Sequence, residues 1–188
     1  MKIVTFCGHR DSIITPDIES WLNKSIEYFI QNGAKTFYLG GYGAFDVKVV
    51  SVIHKMKAFY PWIESVLVIP YLDFKPDCLQ TALYDSFVYP PLETVPRRVA
   101  ILRRNQWMAE QCDVLIAYIQ RETGGAYQTL QWAKKRINLF FNIHRLFGSA
   151  ITFFFTKNGS TGFRWSRLFS NLLTYLIFVT FLSLRTTS

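Results

Sequence analysis

Residues 137–188 contain no aspartate or glutamate, although the chain has 13 acidic residues. All of them lie in residues 1–136, against 16 Lys+Arg, a net of +3. The overall charge of +8 therefore comes mostly from the last 52 residues, which add five Lys+Arg. A net of +3 makes a poor electrostatic platform for a polyanion, so nucleic acid is not an expected partner. Cysteine is scarce as well. Cys7, Cys78 and Cys112 are widely spaced and odd in number, with no CxxC and no Cys/His cluster. Neither a disulfide framework nor a zinc site is expected, no metal ligands are assigned, and a reduced, cytoplasmic compartment fits. The start of the chain lacks a charged n-region and a long apolar core, so no signal peptide is expected.

The most informative segment that is present is Gly40-Gly41-Tyr42-Gly43-Ala44-Phe45-Asp46. It follows a strand-like run, Lys35 to Leu39, and precedes a helix-like run, Val47 to Phe59. A glycine-rich turn between strand and helix brings bare backbone N–H groups to a helix N-terminus, which favours a phosphate or another anion. Two more such turns occur. Cys7-Gly8-His9-Arg10 follows the strand Lys2 to Phe6, and Thr123-Gly124-Gly125-Ala126 follows the strand Asp113 to Ile119. Three turns of this kind point to one nucleotide-like pocket at the carboxyl edge of a parallel sheet.

The pattern along the chain supports that sheet. Thr15-Pro16 reads as a helix start with proline in the first turn, and Asn32-Gly33 as its end. Ser65 to Tyr71 reads as the third strand, and residues 72–96 as a long aromatic, proline-bearing connection. Helices are expected over Val99 to Gln111 and Ala126 to Arg136, with a final strand within Ile137 to Phe141. The alternation of strands and helices predicts an α/β three-layer fold with a mostly parallel sheet over residues 1–141.

Residues 142–188 form a hydrophobic, basic tail. Ten of the 17 phenylalanines lie in the last 52 residues, and 168–184 is an uncharged run of 17. Three readings stand side by side: a C-terminal membrane anchor, a buried helix, or a segment that is not selected protein sequence.

Taken together, Thr5-Phe6-Cys7-Gly8-His9-Arg10, the turn at residues 40–46, Arg103-Arg104-Asn105-Gln106-Trp107-Met108 and Thr123-Gly124-Gly125-Ala126 resemble the SLOG superfamily. This is the Rossmann-like group that includes DprA-type and LOG-type proteins, and the likeness is to its YpsA-like branch. The resemblance implies a nucleotide or nucleotide-derived ligand at the carboxyl ends of the strands, with an ADP-ribose relative as one candidate, and Arg104 and Asn105 reaching it. LOG-type phosphoribohydrolases carry a PGGxGTxxE motif. Here its glycines fall at Gly124 and Gly125, Thr123 replaces the proline, and Gln131 replaces the catalytic glutamate. A glutamine cannot act as that carboxylate.

The nucleotide-binding candidates are therefore Gly8, His9, Arg10, Gly40, Gly41, Gly43, Ala44, Asp46, Arg104, Asn105, Thr123, Gly124 and Gly125. Each has a plainer reading: turn glycines, a structural histidine, a helix-dipole aspartate, a solvated basic face for Arg97 and Arg104. Tyr84, Tyr89 and Trp107 are candidates for stacking on a base. Glu122 and Asp46 are the candidate catalytic carboxylates. The main expectation is a sensor or binding module for a nucleotide-type small molecule, with Mg²⁺ as a companion of its phosphate and a homo-oligomeric state. The alternatives are a nucleotide-processing hydrolase, an N-glycosidase or phosphohydrolase, and an accessory protein anchored in a membrane through 168–184.

Overall fold

Consecutive burial along Val4-Thr5-Phe6-Cys7 and throughout Val114-Leu115-Ile116-Ala117-Tyr118 marks two central strands covered on both faces. The computed structural model describes residues 2–74, 81–136, 139–146 and 149–155. Its elements are β1 (Lys2–Gly8), α1 (Pro16–Gln31), β2 (Ala34–Leu39), α2 (Ala44–Met56), β3 (Glu64–Val68), β4 (Ser86–Val88), α3 (Arg97–Gln111), β5 (Val114–Tyr118), α4 (Gly124–Arg136), β6 (Leu139–Leu146) and β7 (Ser149–Phe155).

The strands make one sheet in the order β4-β3-β2-β1-β5-β6-β7. Every neighbouring pair is parallel except β6 with β7. The α/β architecture with a mostly parallel sheet is thus as expected. From β1 the chain steps outward through β2 and β3 to β4, then returns to the other side of β1 as β5. That reversal leaves a crevice over the carboxyl end of β1, the usual ligand position in open α/β sheets.

Local chemistry explains the first helix. Thr15 is extended, Pro16 takes the first helical position, and Asp17 and Glu19 sit in the first turn. At the other end the Asn32 side chain donates to the Tyr28 carbonyl, and Gly33 turns the chain at φ +90°. The core is built in two halves. On one face Phe6 stacks on Phe37 at 6.2 Å. On the other, small residues let the helices approach closely: Cys7, Ala109, Cys112, Ala117 and Ala133 pack with Leu115, Ile119 and Leu130.

Three elements differ from the sequence expectations. Helix α2 begins at Ala44 inside the glycine segment, three residues before the apolar run. The connection over 72–96 contains a strand, β4, which the residue pattern did not show. Asp85 secures it by accepting from the Ser65 N–H at 2.6 Å and the Ser65 hydroxyl at 2.9 Å, with Lys57 as its ion-pair partner. Burial pushes the Asp85 carboxyl up, but Lys57 and the Ser65 donors outweigh it and hold it below the usual carboxylate range. Finally, the sheet continues past residue 141, where the composition break ends the expected domain. Strand β6 runs to Leu146, and β7 pairs back on it from Leu146↔Ser149 to Phe140↔Phe155. Among the described residues no helix is long and apolar enough to cross a membrane, and the 168–184 run lies outside them.

Candidate functional site

The three glycine turns follow β1, β2 and β5, adjacent parallel strands, so they lie at one sheet edge. They converge on a pocket of about 300 Å³. Its walls include Gly8, His9, Arg10, Gly40, Asp46, Arg104, Asn105, Gly124 and Gly125 from the expected set. Gly41, Gly43, Ala44 and Thr123 are not among the wall residues, nor is Glu122, which is exposed.

The first two turns are packed into each other. A Cβ on Gly8 would stand 2.5 Å from the Phe45 ring. A Cβ on Gly43 would stand 2.5 Å from the Arg10 Cα, and Gly43 holds φ +90° with ψ 171°, a conformation essentially restricted to glycine. The Ala44 N–H donates to the Arg10 carbonyl at 3.1 Å, which fastens the turns together. These glycines are required by close approach of backbone and ring.

Asp46 closes the second turn on itself. Its Oδ2 accepts the Tyr42 N–H at 2.9 Å, so the carboxylate in the first turn of α2 holds the loop that leads into the helix. Burial raises its pKa to about 6, against the opposing pull of the Tyr42 N–H, Arg104 and the Gly41 N–H. Both plain and functional readings of Asp46 meet here: it braces the loop, and it lines the pocket.

Arg104 lines the pocket, and the plainer reading of a solvated basic face shared with Arg97 does not hold for it. Only 1% of Arg104 is exposed, while the Arg97 side chain is 65% exposed and pairs with Asp73. The Arg104 Nη1 donates to the Gly40 carbonyl at 2.5 Å and the Val68 carbonyl at 2.6 Å, and Nε donates to Asn105 Oδ1 at 2.9 Å. It thus ties the carboxyl ends of β2 and β3 to α3 from within the pocket lining. Burial pulls its pKa down, opposed first by Asp46.

His9 is a clamp between the first and third turns. Its ring Nε2 lies 3.1 Å from the Arg121 carbonyl and 3.3 Å from the Arg121 N–H, and the tautomer decides which bond forms. Burial, reinforced by the Arg121 charge, lowers its pKa and favours the neutral ring. Asp11 and Arg121 add a two-point ion pair at 2.9 Å for each contact. Arg121 also lines the pocket, a role that no sequence pattern signalled.

The third turn is different. Gly124, at φ +83°, would meet nothing within 4 Å if given a Cβ, and for Gly125 the nearest atom is Asn105 Nδ2 at 3.9 Å. Both open α4, and both line the pocket together with Asn105 and the exposed Arg10. Backbone donors at a helix start with no side chain above them suit an anion.

The expected aromatic stackers lie elsewhere. Trp107 stacks on Tyr38 at 5.7 Å, and Tyr84 is buried, its hydroxyl unpartnered. Tyr89 is not a wall residue; Tyr42, which had not been singled out, is. Among the described residues no group of three or more His, Cys, Asp or Glu is placed to hold a metal ion.

No protein-family model matches the chain, and no curated protein sequence does. Solved structures do. DNA processing protein A from Helicobacter pylori, studied for its single-stranded DNA binding mode, matches at TM-score 0.56 and 18% identity over 79% of this chain and 68% of its own. A structural-genomics target, TM1055, matches at TM-score 0.44 and 14% identity, over 71% and 69%. The first of these shows a shared Rossmann-like fold. Because that neighbour's title names single-stranded DNA binding, it lends no support to the expectation that nucleic acid is not a partner.

Proposed function

We propose that this chain is a binding module or sensor for a nucleotide or nucleotide-derived ligand of the YpsA-like, SLOG kind, seated over the carboxyl end of β1. The observation that carries the reading is the open Gly124-Gly125 start of α4. It faces the same pocket as Arg10 and Asn105, in a site otherwise closed by packed loops. Mg²⁺ would enter with the ligand's phosphates rather than through dedicated protein ligands. A cytoplasmic homo-oligomer belongs to the same proposal. Calorimetry of the full chain with ATP, NAD, ADP-ribose, cyclic nucleotides and a short single-stranded DNA tests it. Binding of at least one mononucleotide or dinucleotide is expected. Silence from all of them at millimolar concentration sinks the proposal, and binding of DNA alone replaces it with a nucleic-acid reading.

A second reading has its own support. Asp46 lines the pocket with a pKa of about 6, suited to general acid or base work near neutral pH. A nucleotide-processing hydrolase would use it, with Glu122 as the weaker candidate because it stands outside the wall. Turnover that persists in both Asp46→Asn and Glu122→Gln removes these assignments.

A further inference from the structure

Tyr42 stands between two glycines of positive φ, Gly41 at +72° and Gly43 at +90°, and reaches the pocket from the β2 side. The open start of α4 reaches it from the β5 side. Strand β1 lies between the strands that carry them, so the two walls flank the carboxyl end of β1. In a nucleotide the sugar likewise separates the phosphate from the base.

The Tyr42 ring is held by its neighbours. Its hydroxyl meets that of Tyr71 at 3.3 Å, Phe74 packs at 5.5 Å with a 37° tilt, and the Arg104 guanidinium carbon lies 5.8 Å from the ring centroid. The hydroxyl is engaged by Tyr71, and Tyr42 remains half-buried at the pocket wall. The same pocket is lined from α3 by Ile101, which remains 36% exposed. An aromatic and an aliphatic wall in one pocket suit a flat, weakly polar group.

We propose that Tyr42 and Ile101 form the base slot of this pocket, and that Tyr42 makes it select nucleotides over plain sugar phosphates. The proposal rests on the nucleotide reading above and adds which part of the ligand is recognised where. The phosphate lies at the Gly124-Gly125 turn, the base against Tyr42, and the sugar spans the end of β1.

The test is calorimetry of the full chain with AMP, GMP, CMP, UMP and ribose 5-phosphate, in the wild type, Tyr42→Ala and Tyr42→Phe. In the wild type at least one nucleotide is expected to bind tenfold or more tightly than ribose 5-phosphate. Tyr42→Ala is expected to lose about tenfold in affinity for that nucleotide and to hold ribose 5-phosphate within twofold, which also shows that the variant is folded. Tyr42→Phe, which keeps the ring, is expected to bind like the wild type. Equal affinity for nucleotides and ribose 5-phosphate, or equal losses for both in Tyr42→Ala, overturns the base slot and leaves the anion site standing. A loss in Tyr42→Phe as large as in Tyr42→Ala also overturns it, by tracing recognition to the hydroxyl. Silence from all five compounds overturns the slot, and the nucleotide reading falls with it when ATP, NAD, ADP-ribose and the cyclic nucleotides are silent too.

Discussion

The second and third glycine turns share a sequence style and a sheet edge, but they hold their glycines for opposite reasons. At the second turn space is absent: Gly41 abuts Leu67, Gly43 abuts the Arg10 backbone, and Gly40 lies 3.0 Å by its Cβ position from Asp46 Oδ2. At the third turn space is plentiful, and Gly124 meets nothing within 4 Å. A glycine forced by packing says little about ligands. A glycine beside empty space at a helix start leaves backbone donors uncovered. The contrast supports the proposal that the third turn takes the anion, while the glycines of the second serve its packing.

The largest effect expected from this contrast is that of Gly43→Ala. The new methyl would collide with the Arg10 backbone and strain φ, so a loss of roughly 3 kcal/mol or more is expected in urea unfolding. A loss under 1 kcal/mol would show that the second turn is as permissive as the third.

Asp46 gives the next effect, and its sign is opposite to that of an ordinary paired carboxylate. Its folded pKa of about 6 lies above its unfolded value, so the unfolded chain ionises first as pH rises. Its contribution is therefore fully present below about pH 4 and is lost as pH climbs through 6, amounting to about 3 kcal/mol by pH 7. Asp46→Asn keeps an acceptor for the Tyr42 N–H and lacks the titration. Stability of the wild type relative to this variant should fall between pH 4 and pH 7. His9, with its lowered pKa, and Asp85 change in the other direction, and both cancel in the difference between the two proteins. A difference that stays flat with pH would mean that Asp46 is solvated and the second turn looser than its packing indicates.

The smallest effect on stability, Gly125→Ala, sharpens the comparison most. Gly125 lies inside the first turn of α4 with room for a methyl group, so alanine should add about 0.5–1 kcal/mol through its better helix propensity. The same methyl stands over the anion-facing donors, so affinity for the bound nucleotide should drop about tenfold. Raised stability with unchanged affinity would remove the third turn from the binding site.

Much of this was legible in the chain because it is local. The strands flanking the turns are apolar runs, the first helix carries its own start and stop in Thr15-Pro16 and Asn32-Gly33, and the turns announce themselves by glycine. Strand β4 was not legible: three residues, Ser86–Val88, have too few periods to read, and their pairing depends on Asp85 reaching Ser65, 20 residues away. The role of Arg104 was hidden for a similar reason. Nothing adjacent in sequence reveals that the carbonyls of Gly40 and Val68 would receive it, 64 and 36 residues distant. In the sequence Tyr42 is one residue of a loop; only the fold brings Phe74 and Tyr71 against it.

The sequence by itself determined the alternation of strands and helices, the parallel sheet and the three turns at its carboxyl edge, since each follows from neighbours in the chain. Only the tertiary structure decided which turn is filled and which is open, that Glu122 stays outside the pocket, and that Arg104 is a strut. Those outcomes depend on the return of the chain from β4 to β5 beside β1. That step brings residues more than 100 positions apart, such as His9 and Arg121, within hydrogen-bond distance, and short-range patterns in a sequence carry no record of it.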